Sequence, residues 1–252
     1  MASDIRPLIA GNWKMNGLRQ EISDLALALA TRAAAQPPGC DIVVCPPATL
    51  VSLVAWTLQD SAVAVGGQDC HTAASGAHTG DVSAEMLADA GCAYVIVGHS
   101  ERRARHDEGN GLVRAKAAAA HRARLIPIVC LGESEAERDA GDALAVVEAQ
   151  LSGSLPPTAS ADDTLIAYEP VWAIGSGRTP GTDEIAAVHA HLRNLLGDRL
   201  GEAGRGMRLL YGGSVKAANA EEILAIAEVD GALVGGASLD ADAFWSICQS
   251  CP

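Results

Sequence analysis

Tyr94-Val95-Ile96-Val97 is an unbroken apolar run, and Gly98-His99-Ser100-Glu101-Arg102 follows it directly. A strand covered on both faces of a parallel sheet reads this way, because neither of its sides alternates with solvent. Ile126-Pro127-Ile128-Val129-Cys130 has the same character. Working outward from these two runs, the pattern predicts eight strands, over residues 7–13, 41–45, 62–66, 94–98, 126–131, 165–168, 208–211 and 232–234. Helical periodicity fills the gaps. Ile22, Leu25, Ala26 and Leu29 keep the i, i+3, i+4, i+7 spacing of one helix face. Further helices are expected over 136–151 and 182–200, the second opened by Thr182 and Asp183 as cap candidates.

Eight strands alternating with helices in 252 residues predict an α/β chain folded as a single (β/α)8 barrel, the TIM barrel, with residues 1–252 forming one catalytic domain. An open doubly wound sheet would usually stop at five or six strands. The Ser-, Pro- and Ala-rich stretch 153–163 falls between a helix and a strand, so it reads as a surface loop and not as a linker.

Bulk properties narrow the function. Aromatic residues make up 3% of the chain, so the core must be aliphatic. The formal net charge of −13 argues against nucleic-acid binding, since the phosphate backbone would be repelled. It also argues against long-range attraction of an anionic substrate, so a phosphate would have to be held by local charges and backbone dipoles. No apolar stretch approaches the roughly 20 residues of a membrane span. Seven scattered cysteines and no secretory segment point to a reduced, cytoplasmic setting.

The polar residues fall where such a barrel places chemistry. The first strand runs into Asn12-Trp13-Lys14, the fourth into Gly98-His99-Ser100-Glu101, the sixth into Glu169-Pro170, the seventh into Gly212-Gly213-Ser214 and the eighth into Gly235-Gly236. All C-terminal strand ends of a barrel open on one face. Lys14, His99 and Glu169 are therefore expected to converge. Alone, each has an ordinary reading: a solvated charge, a hydrogen-bonded core histidine, a carboxylate paired with arginine. Glycine turns let backbone N–H groups approach an anion, and the loops after strands seven and eight often form a phosphate site. From Pro170 to Thr179 a stiff Pro-Val-Trp start leads into a Gly-rich tip, as a closing lid requires.

At these residues the sequence closely resembles the triosephosphate isomerase family. The matching stretches are Gly11-Asn12-Trp13-Lys14-Met15-Asn16, Val97-Gly98-His99-Ser100-Glu101-Arg102-Arg103, Ala167-Tyr168-Glu169-Pro170-Val171-Trp172-Ala173-Ile174-Gly175, Tyr211-Gly212-Gly213-Ser214-Val215 and Leu233-Val234-Gly235-Gly236-Ala237-Ser238-Leu239. The resemblance implies an isomerase that moves a carbonyl between two carbons of a triose phosphate through an enediolate. Glu169 would be the base and His99, as neutral imidazole, the group that polarises the carbonyl; both roles come with the resemblance. Lys14 would supply positive charge, Asn12 would position the carbonyl oxygen, and Glu101 would stand beside them. The phosphate would rest on backbone N–H groups of Gly175, Ser214, Gly235 and Gly236. No metal and no organic cofactor is implied.

The resemblance also implies a homodimer, docked through the loop that runs from Gln68 to Met86. Thr79 at its tip would approach Asn12 and Glu101 of the partner subunit. The chain departs from the usual pattern at Asp69, His78 and Asp81 in that loop, at His106, Asn110 and Gly111 after the fourth strand, and at Ser176 and Arg178 in the lid. Two alternatives share the same parts: an isomerase of a four-carbon erythrulose phosphate, and a barrel that binds sugar phosphates without catalysis. A serine hydrolase is disfavoured, because Gly98-His99-Ser100-Glu101-Arg102 has arginine where a nucleophile elbow needs glycine. Neither a P-loop nor a G-x-G-x-x-G follows a strand. Cys248-x-x-Cys251 has no second pair to complete a metal site.

Overall fold

Eight strands close on themselves in the order of the sequence. They are β1 Leu8–Asn12, β2 Asp41–Cys45, β3 Val63–Gly67, β4 Tyr94–Val97, β5 Ile126–Leu131, β6 Leu165–Tyr168, β7 Leu209–Tyr211 and β8 Gly231–Val234. The computed structural model describes residues 5–173 and 180–251. Every pairing is parallel, including the closing pair, in which Leu8 faces Gly231 and Gly11 faces Val234. Expected boundaries hold to within one residue. β4 stops at Val97 because Gly98 turns into the left-handed region, at φ +66°.

Successive side chains of each strand point to opposite faces, which splits the core in two. Leu8, Ala10, Val43, Cys45, Ile96, Ile128, Cys130, Leu165, Ala167, Leu210 and Leu233 fill the barrel interior. Ile9, Ile42, Val44, Val95, Val97, Val129 and Ile166 face outward and pack on the helices. Helix Arg19–Ala35 buries Ile22, Ala26, Leu29 and Ala33, while Leu25 is only half-buried at its margin.

Two expectations about helices need correction. The stretch 136–151 is not one helix but two, Glu135–Asp139 and Ala143–Ser154. Gly141 breaks it at φ +82°, and the N–H groups of Gly141 and Asp142 close back on the carbonyls of Arg138 and Glu137. Helix Thr182–Leu200 has the expected span, but Thr182 and Asp183 lie inside it and do not cap it. The Glu184 carboxylate instead accepts the N–H of Gly181 at 2.9 Å.

Barrel closure depends on a bare backbone at one position. Gly231 has φ +139°, and a Cβ there would lie 1.9 Å from the Leu8 carbonyl oxygen. We predict that Gly231→Ala costs at least about 2 kcal/mol, from left-handed strain and a backbone collision together. Urea unfolding would show this as a lower midpoint with an unchanged slope; an unaltered midpoint would mean that β8 and β1 do not meet as described.

Candidate active site

Three strand ends carry the charged groups. Asn12 closes β1, and its Oδ1 accepts the backbone N–H of Lys14 at 3.0 Å. That tight turn places Lys14 at φ +49°, a conformation that non-glycine residues seldom adopt and that costs on the order of 1–3 kcal/mol. A brace holds it there: Gln68 Nε2 donates to the carbonyl oxygens of both Lys14 and Cys45, each at 2.8 Å. Lys14 Nζ then reaches Glu101 Oε1 at 2.7 Å.

After β4, Gly98 reverses the chain so that His99 caps the short helix Ser100–Arg105. Its Nδ1 accepts the Glu101 N–H at 3.2 Å, which leaves the ring proton on Nε2. Nε2 stands 2.9 Å from Glu169 Oε1. Glu169 itself follows β6 and is 1% exposed. Its Oε2 accepts the Ser100 N–H at 2.9 Å, and the Ser100 hydroxyl donates to Oε1 at 3.4 Å. The turn containing Glu169 lies against β5 so closely that a Cβ on Gly132 would fall 1.7 Å from the Glu169 carbonyl oxygen.

Electrostatics keep this carboxylate ionised. Burial works to raise its pKa, but the imidazole, the Ser100 N–H and the Lys14 charge together hold it below the usual carboxylate range. For His99 burial works downward, and the facing carboxylate outweighs it, so the imidazole pKa is raised while the two groups touch. The upward pull comes chiefly from Glu169, with a smaller one from the Glu101 carboxylate, whereas the Lys14 charge and the Glu101 N–H at Nδ1 oppose a second ring proton. Once Glu169 turns to another partner, the neutral ring is favoured. The pair holds one shared proton between a good acceptor and a weak donor, which suits reversible proton transfer.

Asn12, Lys14, His99 and Glu169 line one cavity of about 790 Å³, whose opposite wall carries Gly212, Gly213, Ser214, Gly235 and Gly236. The sequence-predicted residues thus meet, and the glycine turns face them. Gly236 has open space where a Cβ would stand, and at Gly235 the nearest atom is Lys14 Cε at 3.7 Å. Glu101 adjoins the group through Lys14 without lining the cavity. Gly175 and the lid tip, residues 174–179, lie outside the described residues. The stiff start of that segment is anchored: Trp172 Nε1 donates to Glu133 Oε1 at 2.6 Å, and Tyr168 OH and Arg138 converge on the same buried carboxylate.

Several working residues escaped the sequence reading. Ser100, Gln68, Gly132 and Arg103 hold the charged groups in place, the last through hydrogen bonds to the Gly98 and Cys130 carbonyls. Ser100 and Arg103 lie in the matching stretch from Val97 to Arg103, and Gly132 is a glycine at the end of a strand, but none of these signals names the contact that the residue makes. Lys216 also lines the cavity and adds a second cation near the Ser214 turn. In the loop from Gln68 to Met86, the unusual Asp69 pairs with Lys116 at 2.7 Å and with Arg102 at 2.8 Å, beside buried Glu108. Among the described residues, the group with metal-ligand spacing is His71, His78 and Asp81, outside the cavity. His71 Nδ1 there accepts the Ala73 N–H, so its Nε2 carries a proton and faces Asp81 at 3.8 Å as a donor.

A closed parallel barrel with a carboxylate, an imidazole and an ammonium facing glycine turns at one rim defines a class of enzyme: an acid–base catalyst for a small phosphorylated substrate. Comparison with known proteins narrows the class. A family model for triosephosphate isomerase matches residues 7–251. The chain is 57% identical to a triosephosphate isomerase of Afipia carboxidovorans over all of both chains, and 54% identical to one of Xanthobacter flavus over 99% of each. Its fold superposes on the crystal structure of triosephosphate isomerase from Bartonella henselae with a TM-score of 0.91, at 45% identity, covering 98% of this chain and 99% of that one. The chain belongs to the triosephosphate isomerase family.

The placement of Glu169 yields a prediction. A Cβ on Gly212 would lie 2.8 Å from Glu169 Cγ and 3.1 Å from the Tyr168 carbonyl oxygen. Gly212→Ala must therefore displace the carboxylate, and a shift of about 1 Å costs on the order of 100-fold in rate. Steady-state kinetics should show a large fall in kcat with the Tm nearly preserved; full activity would mean that the carboxylate does not need its present position.

Proposed function

We propose that this chain interconverts dihydroxyacetone phosphate and D-glyceraldehyde 3-phosphate by enediolate proton transfer, as an aldose–ketose isomerase of glycolysis and gluconeogenesis. The observation that carries the mechanism is the 2.9 Å contact between the Glu169 carboxylate and His99 Nε2 at the floor of a cavity walled by glycine turns. Glu169 takes the carbon-bound proton. To do so Oε1 must leave the His99 Nε2–H, which frees that donor for the substrate oxygens. The neutral imidazole then stabilises the developing enediolate and moves a proton between its two oxygens. Lys14 supplies the fixed positive charge that the growing oxyanion needs, Asn12 positions the carbonyl oxygen, and Glu101 holds Lys14 in place.

Backbone N–H groups of Ser214, Gly235 and Gly236, joined by Gly175 from the lid, hold the phosphate. This local capture suits a chain whose net charge of −13 repels anions at long range. The proposed chemistry uses no metal and no organic cofactor. Retention of Glu169, His99 and Lys14 around one cavity speaks against a barrel that only binds sugar phosphates. The four-carbon substrate is disfavoured by relatives of 53–57% identity named for the triose reaction.

A homodimer formed through the loop from Gln68 to Met86 completes the proposal. Support comes from the exposure of Thr79 at the loop tip, and of Met15 and Met86, at 94% and 54%, beside the cavity rim and the loop end. Gln68 links the root of this loop to Lys14, so docking would stiffen the strained residue. A cytoplasmic site is supported by seven free thiols, six of them buried. Among the described residues no helix is long and apolar enough to cross a membrane.

We predict that Glu169→Asp lowers kcat by on the order of 100-fold or more, since the carboxylate retracts by about 1 Å, while KM and fold are kept. A coupled assay with purified protein checks this; near-normal turnover would remove Glu169 from the role of base. The same assay should give a higher kcat/KM on glyceraldehyde 3-phosphate than on a four-carbon analogue, with phosphoglycolate competing as a planar mimic of the enediolate. The reverse preference would favour the four-carbon reading.

A further inference from the structure

Two ammonium groups line the cavity, Lys14 from the turn after β1 and Lys216 from the turn after β7. They are held differently. Lys14 Nζ is paired with the Glu101 carboxylate at 2.7 Å, which offsets its field at a distance. The chain has one other lysine, Lys116, which is buried and paired with Asp69 at 2.7 Å and with Glu108 at 2.6 Å. Lys216 alone of the three is exposed, and among the described residues no carboxylate stands within ion-pair distance of it.

The turn that carries Lys216 is fixed by its own hydrogen bonds. The Lys216 N–H donates to Asn219 Oδ1 at 2.7 Å, and Asn219 Nδ2 donates to the Ser214 carbonyl oxygen at 3.1 Å. Val215, between Ser214 and Lys216, is buried. The root of the side chain is therefore set two residues from Ser214, while the ammonium itself rides on a flexible stem. Ala217 and Ala218 beside it line the same cavity and carry no charge. Backbone N–H groups act only at short range, and a net charge of −13 repels an anion farther out. An unpaired cation at the exposed edge of the cavity bridges that gap.

We propose that Lys216 is a further specificity residue for the isomerase reading above, on which this inference rests: its ammonium draws the substrate's phosphate to the turns after β7 and β8 and favours a phosphorylated triose over the free triose. The phosphate keeps its charge while a proton moves at carbon. The attraction is therefore equal in the ground state and the transition state, and such uniform binding lowers KM without raising kcat.

The test compares the whole protein with its Lys216→Gln and Lys216→Arg variants. In low salt, Lys216→Gln should raise KM for glyceraldehyde 3-phosphate by about 3- to 10-fold and change kcat by less than about twofold. Lys216→Arg should restore most of the loss. Between about 0.01 M and 1 M salt the screening length falls from roughly 30 Å to 3 Å, and the gap between the wild type and Lys216→Gln should close. The ratio of kcat/KM for glyceraldehyde 3-phosphate to that for glyceraldehyde should fall in Lys216→Gln. The dissociation constant of inorganic phosphate, measured by calorimetry, should rise with KM. Because that last reading needs no turnover, a chain inactive on triose phosphates would sink the isomerase reading while the role of Lys216 in holding phosphate would still be decided. Unchanged phosphate affinity in Lys216→Gln, a KM gap that persists at high salt, or an equal loss on glyceraldehyde would overturn the proposal.

Discussion

Pairing of β8 with β1 is the constraint on which the other features rest. A closed parallel sheet sends every strand in one direction, so the turns after β1, β4, β6, β7 and β8 share one rim. Residues as far apart in sequence as Asn12 and Gly236 then border one cavity. Closure itself leans on a bare backbone, since Gly231 must pass the Leu8 carbonyl where no side chain fits. An open sheet of the same strands would carry the same charged residues and bring few of them together.

Within that rim the difficult element is a buried carboxylate. Glu169 has lost nearly all contact with water, which penalises its charge heavily unless other groups replace the solvent. The replacements are an imidazole and a backbone N–H, both from the turn after β4, and a distant ammonium from the turn after β1. Their support is itself built in: Gly98 turns His99 inward, Arg103 ties that turn to β5, and Gln68 holds the strained Lys14. An ionised base surrounded by donors that can be released one at a time is poised to take a proton and give it back. That property is what an isomerase needs and what a merely binding protein does not.

Much of this was legible in the sequence because the signals were of the strongest kinds. Apolar runs such as 94–97 and 126–130 specify doubly covered strands, and the residues directly after them name the rim. Motifs around Asn12, His99, Glu169, Gly212 and Gly235 carried the site. What stayed hidden depends on contacts between distant segments. Ser100 gives no sign that its N–H will meet Glu169, nor Gln68 that it will brace Lys14. The helix break at Gly141 lay within a good apolar pattern, where one left-handed residue outweighed the periodicity. The cap of helix Thr182–Leu200 fell to Glu184 because a carboxylate three residues inside reached the free N–H of Gly181.

The most direct measurement follows a hydrogen atom. Isomerisation of dihydroxyacetone phosphate in D2O should place solvent deuterium at C2 of the glyceraldehyde 3-phosphate formed, because a proton carried by a carboxylate exchanges before it returns. Glu169→Gln should abolish both turnover and labelling. Product that keeps only the original hydrogen, formed at the same rate with or without the Glu169 carboxylate, would contradict the account.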